Sequence, residues 1–133
     1  MTAIVIKNAR LAGADNLVSI VVENGGIELI GGVVESEREI QRIDVEGTYL
    51  LPGFIDVHNH GAVGVDVNSA SADDLIKVGA FLARNGITAW MPTLVPDSDE
   101  NYERAIAAID ELIVRQTGKA VAQAVGVHYE GVF

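Results

Sequence analysis

The 133-residue chain is 49% hydrophobic and 21% charged, enough apolar material for the core of an ordinary soluble domain and too much for intrinsic disorder. Nine Lys and Arg against 19 Asp and Glu leave a net charge of −10, a field that repels phosphate backbones and anionic head groups, so nucleic-acid and membrane-surface partners are disfavoured. No cysteine is present, which excludes disulfide frameworks, thiolate zinc sites and cysteine nucleophiles and leaves His, Asp and Glu as metal donors.

The chain opens Met1-Thr2-Ala3-Ile4 without the basic segment of a signal peptide, and no apolar run approaches the roughly 18 residues that span a bilayer, so the expected location is the cytoplasm. Ile4-Val5-Ile6, Val18-Ser19-Ile20-Val21-Val22 and Ile27-Glu28-Leu29-Ile30 are β-branched runs broken by glycine and read as a meander. Asn24-Gly25-Gly26 predicts a hairpin turn, because two adjacent residues there take positive φ at little steric cost. Residues 35–42 are mostly charged, and Ile43-Asp44-Val45-Glu46-Gly47 then alternates as a half-buried strand does. These runs predict a sandwich-like N-terminal β-domain over residues 1–52.

From Leu50 the pattern changes to the near-continuous apolar strands and amphipathic helices of a parallel α/β unit, placed at 53–133. Phe54-Ile55-Asp56-Val57-His58 reads as a buried strand, followed by the loop Gly61-Ala62-Val63-Gly64, whose glycines allow close backbone approach. Ser71 is the expected N-cap of a helix with Asp73 and Asp74 in its first turn, Leu75, Ile76, Gly79 and Leu82 on one face, and a stop at Asn85-Gly86. Ile87-Thr88-Ala89-Trp90-Met91 is the next strand, expected to end at Pro92. A second helix starts near Ser98, presents Tyr102, Ile106, Ile109, Leu112 and Ile113 on one face, and stops at Gly118. Residues 121–128 supply a third strand, giving β-α-β-α-β and a right-handed parallel sheet.

His58 and His60 stand two residues apart at the end of the first of these strands. Period two sends both rings from one face, close enough to converge on one ion, and strand ends of this kind build active sites in parallel β/α folds. A pair of solvated loop histidines is the bland alternative. On the third strand His128 and Glu130 share a face, and a carboxylate at a buried strand end is costly unless it is paired, hydrogen-bonded or bound to metal. A salt bridge or loop cap is the alternative for Glu130. His128 reads as orienting a neighbour or filling the core, Asp56 as hydrogen-bonding an imidazole or lying nearer the ion, and Thr93 as facing a substrate or, in preference, capping a turn.

Leu51-Pro52-Gly53-Phe54-Ile55-Asp56-Val57-His58-Asn59-His60-Gly61 resembles the first-strand signature of the amidohydrolase superfamily, including the small β-domain before its barrel. Gly86-Ile87-Thr88, Met91-Pro92-Thr93-Leu94 and Gly126-Val127-His128-Tyr129-Glu130-Gly131-Val132-Phe133 narrow the resemblance to the N-acetylglucosamine-6-phosphate deacetylases within it. The resemblance implies that Glu130 binds the catalytic metal, with His58 and His60 as further ligands in the manner of some members. Val132 stands where that family usually has proline.

It also implies an α/β fold in which the β-strand domain is followed by the first β/α units of an incomplete TIM-like (β/α)8 barrel. A full barrel takes about 250 residues, so the chain reads as an N-terminal fragment whose catalytic aspartate and remaining ligands lie on later strands. The implied activity of the full-length parent is hydrolysis of the acetamide of an amino-sugar phosphate by metal-activated water, with no catalytic residue in this chain and no activity of the chain alone. The implied cofactor is a divalent metal, zinc first, then iron or manganese, and the parent is expected to be a homo-oligomer. Other amidohydrolases, of the dihydroorotase or N-acyl-amino-acid hydrolase type, and a non-catalytic metal-binding or interaction fragment are the rival readings.

Overall fold

The computed structural model describes residues 3–31 and 40–131; the charged stretch at 35–39 and Val132 lie outside the described residues. The chain divides into two compact units, Met1–Pro52 and Gly53–Phe133. No helix among the described residues is long and apolar enough to cross a membrane.

In the first unit β1 (Ile4–Ala9), β2 (Val18–Glu23), β3 (Gly26–Ile30) and β4 (Gln41–Asp44) form one sheet in the order β3-β2-β1-β4. The first three are antiparallel neighbours, as a meander requires. Asn24 and Gly25 take φ of 53° and 79°, the two consecutive left-handed residues that a tight hairpin needs. The fourth strand departs from the meander and lies parallel to β1. It also ends earlier than its alternating pattern suggested, because Glu46 and Gly47 turn at positive φ and the Glu46 N–H donates to the Asp44 carboxylate at 2.9 Å. Every residue of β4 is exposed, so the half-burial expected there is absent. Val5, Ala9 and Ile20 are the buried residues of this sheet.

The second unit runs β5 (Phe54–Asn59), α1 (Ala72–Arg84), β6 (Ile87–Leu94), α2 (Asp99–Arg115), β7 (Gln123–Ala124) and β8 (His128–Tyr129). The strands are parallel in the order β5-β6-β7, and β8 also pairs with β6. Ser71 caps α1 through a reciprocal box with Asp74, and Gly86, at φ 82°, follows the terminal Asn85. Ser98 caps α2 by accepting from the Asn101 N–H. Leu75, Val78 and Leu82 of α1 and Ile109 and Leu112 of α2 are buried in one cluster with Trp90 and Leu94 of β6. Gly79 lets α1 approach the chain before β7: its carbonyl accepts from Ala122 at 2.9 Å, and a β-carbon there would lie 3.1 Å from the Ala122 oxygen.

Three expectations are corrected. The run 121–128 is two short strands rather than one, because Gly126 and Val127 leave the ladder before the chain rejoins β6 at His128. Strand β6 continues through Pro92, whose missing N–H falls between the β7 and β8 pairings and at a register shift of the β5 pairing, where no regular ladder bond is lost. Finally, β5 is not buried: Phe54 and Ile55 are 65% exposed and Val57 60%. It is the edge of the sheet, while α1 packs on β6 and α2 on β7.

Candidate metal centre

The end of β5 is bulged. Between the pairs Asp56↔Trp90 and Asn59↔Pro92 it advances three residues while β6 advances two, which tilts the strand end and re-aims its side chains. Asp56 holds this shape, accepting from the His58 N–H at 3.2 Å and from the Asn59 side-chain amide at 2.8 Å. Its carboxylate thus serves the backbone and its neighbour, which corrects the expectation that it bonds an imidazole. Asn59 accepts from the Gly61 N–H at 2.9 Å, so the turn after His60 is pinned as well.

The structure brings His58, His60 and Glu130 together across 72 residues of chain. The Nε2 atoms of the two histidines are 3.0 Å apart, and Glu130 Oε2 is 3.1 Å from one and 2.9 Å from the other. Glu130 is placed by its own N–H, which donates to the Leu94 carbonyl at 2.9 Å. About half of each side chain is exposed, 47%, 46% and 48% respectively, so the triangle opens to solvent on one side. His128 packs edge-to-face on His58 with ring centroids 4.8 Å apart and lies outside the donor triangle.

The chemistry of this donor set fits a cation. If each imidazole carries its proton on Nε2, two N–H groups crowd each other at 3.0 Å; if only one does, its N–H is satisfied but the other nitrogen's lone pair still faces the Glu130 oxygen. If each carries it on Nδ1, all three atoms present lone pairs to one another, so the second and third arrangements leave lone pairs uncompensated. A divalent ion about 2.0–2.1 Å from each atom turns the arrangement with both protons on Nδ1 from repulsive to bonding. Three protein donors with an open side are also the pattern of catalytic rather than structural zinc sites.

No protein-family model matches the chain. It is 36% identical to the N-acetylglucosamine-6-phosphate deacetylase of Danio rerio over 69% of its own length and 23% of the relative's. The enzyme of the same name from Lysinibacillus sphaericus is 26% identical over 98% of the chain and 34% of the relative. The crystal structure of N-acetylglucosamine-6-phosphate deacetylase from Pasteurella multocida superposes with a TM-score of 0.81 at 27% identity, over 96% of this chain and 34% of that one. The chain is a relative of the N-acetylglucosamine-6-phosphate deacetylases. It spans about a quarter to a third of the length of the deacetylases it matches.

Thr93, whose sequence position favours a turn cap, is instead fully buried at the end of β6. Its hydroxyl accepts from the Asn59 N–H at 2.9 Å and lies 3.2 Å from both the Met91 carbonyl and His128 Nδ1. The signal available in the sequence was its place at a strand end two residues from Met91, but its partners at 59 and 128 are set by the sheet.

Proposed function

We propose that His58, His60 and Glu130 hold one divalent metal, and that the chain is the first part of an incomplete (β/α)8 barrel in a metal-dependent deacetylase acting on N-acetylglucosamine 6-phosphate. The observation that carries this reading is the triangle of two imidazole nitrogens and one carboxylate oxygen, with sides of 2.9–3.1 Å, in a chain related to deacetylases of that name. Two nitrogens and one oxygen suit zinc, with iron and manganese next, and do not suit calcium, which takes oxygen ligands.

When bound, such a metal would lower the pKa of water towards about 7 and polarise an acyl carbonyl, which is the chemistry amide hydrolysis requires. The chain's own residues do the rest of the positioning. His58 and His60 present their Nε2 atoms from the bulged end of β5, Asp56 and Asn59 hold that backbone, and Glu130 brings a negative charge from the segment after β8. The exposed side of the triangle leaves room for a substrate.

Calorimetric titration of the metal-free chain with zinc tests the reading. One equivalent is expected to bind to the unaltered chain, with affinity falling at least tenfold in His58→Ala and in Glu130→Gln. Absence of stoichiometric binding, or equal binding by all three, overturns it. Because a closed barrel takes about 250 residues, the chain alone is expected to bind metal without releasing acetate from N-acetylglucosamine 6-phosphate.

A further inference from the structure

Every element of the centre is fastened to the last two residues of β6. Strand β5 reaches it through the Asn59 N–H on the Thr93 hydroxyl, β8 through the pairs Thr93↔His128 and Leu94↔Tyr129, and Glu130 through the Leu94 carbonyl. Thr93 is the only one of these anchors that acts through a side chain, and it is fully buried.

A hydroxyl has one proton to give and two lone pairs to offer. The Asn59 N–H takes one lone pair. Of the two remaining partners the Met91 carbonyl can only accept, so the arrangement that satisfies all three contacts has Thr93 donating to Met91 and accepting from His128 Nδ1–H. That leaves His128 protonated on Nδ1 and fixes the ring packed edge-to-face on His58. A second contact thus runs from the same oxygen to each side of the histidine pair: through the backbone of Asn59, which lies between His58 and His60, and through the ring of His128.

We propose that Thr93 is the positioning residue of this centre, its buried hydroxyl setting both the spacing of His58 and His60 and the tautomer and orientation of His128. The metal-affinity part of this inference rests on the proposed metal reading; the tautomer part does not. Groups that orient ligands in this way typically contribute 10–100-fold to metal affinity.

The test uses the 133-residue chain with Thr93→Val, which keeps the branched shape and removes the oxygen, and Thr93→Ser, which keeps the oxygen. Long-range proton–nitrogen NMR spectra of the metal-free chain are expected to show His128 protonated on Nδ1 in the unaltered chain and in Thr93→Ser, and a changed Nδ1 signature in Thr93→Val. Zinc affinity is expected to fall 10–100-fold in Thr93→Val and to stay within threefold in Thr93→Ser. His128 protonated on Nε2 in the unaltered chain overturns the inference without any variant. Equal zinc affinity of Thr93→Val, or equal losses in Val and Ser, overturns it as well. If the unaltered chain binds no zinc, it is the metal reading that fails, and the His128 tautomer still decides the role of Thr93.

Discussion

A β-carbon on Gly61 would lie 2.0 Å from the carbonyl oxygen of Val65, so the loop that follows the histidine pair closes only with glycine at that position. Its φ of 125° is one that L side chains rarely adopt. The obstruction is backbone, which has no rotamer to move into, and the loop folds back on the site through the Val67 N–H on the His60 carbonyl at 2.9 Å. Gly61→Ala is expected to cost at least about 1–3 kcal/mol in urea denaturation and to weaken zinc binding together with it.

Gln116 clamps the short strand β7. Its buried side-chain amide donates to the Ala124 carbonyl at 2.9 Å and accepts from the Ala124 N–H at 2.7 Å, doing for one residue what a neighbouring strand would do. Gln116→Ala leaves both groups of Ala124 unsatisfied, at about 1–3 kcal/mol for each such group. Hydrogen exchange at the Ala124 amide is expected to accelerate in this variant while exchange in the middle of α1 falls only with global stability.

The start of α1 contributes to the acid sensitivity of the second unit. Asp74 is held at about 2, against an ordinary 3.8, by the Lys77 ammonium first and then by the Ser71 hydroxyl and backbone N–H. A carboxyl depressed on folding stabilises the folded chain fully above about pH 4, and that contribution is lost as pH falls towards about 2. Asp74→Asn is expected to flatten the stability profile in this window and leave its shape above pH 5 unchanged, as read by thermal denaturation across pH. Ser71→Ala, which removes the cap itself, is expected to cost about 1 kcal/mol at neutral pH.

Strand β5 presents Phe54, Ile55 and Val57 to solvent at a sheet edge. Exposed apolar edges pair with one another, so the chain is expected to associate with rising concentration in light scattering. Val57→Lys places a charge on that edge and is expected to shift association to higher concentration; an unchanged association curve would show that another surface is responsible.

What could be read from sequence was what depends on neighbours in the chain. The Ser71 cap, the helix start near Ser98, the Asn24-Gly25 turn and the glycine after Asn85 are local chemistry, and the structure has each where its residues suggested. The β5 run looks buried in sequence and is exposed in the structure, because apolar composition reports an affinity for burial and says nothing of whether a covering element is at hand. Pro92 suggests a strand end in sequence and is not one, because the cost of a proline depends on whether its missing N–H falls on a ladder bond, which only the register of the neighbouring strands decides. In the site, the meeting of His58, His60 and Glu130 could be anticipated from strand ends sharing one rim, whereas Thr93 could not, since a threonine whose partners sit 34 and 35 residues away on either side is indistinguishable in sequence from one that caps a turn.

The 72 residues between His58 and Glu130 also impose an order on biosynthesis. At about 5–20 residues per second, Glu130 leaves the ribosome some 4–14 s after His58, an interval in which α1, β6 and α2 have time to form. The histidine pair therefore spends its first seconds with no carboxylate beside it, and β6, whose Thr93 hydroxyl accepts from the Asn59 N–H and whose Leu94 carbonyl accepts from the Glu130 N–H, is the strand on which the late-arriving Glu130 is received. A nascent chain arrested with β8 and Glu130 still inside the ribosome is expected to bind zinc more weakly than one from which both have emerged, since the third donor and the strand that leads into it are then missing.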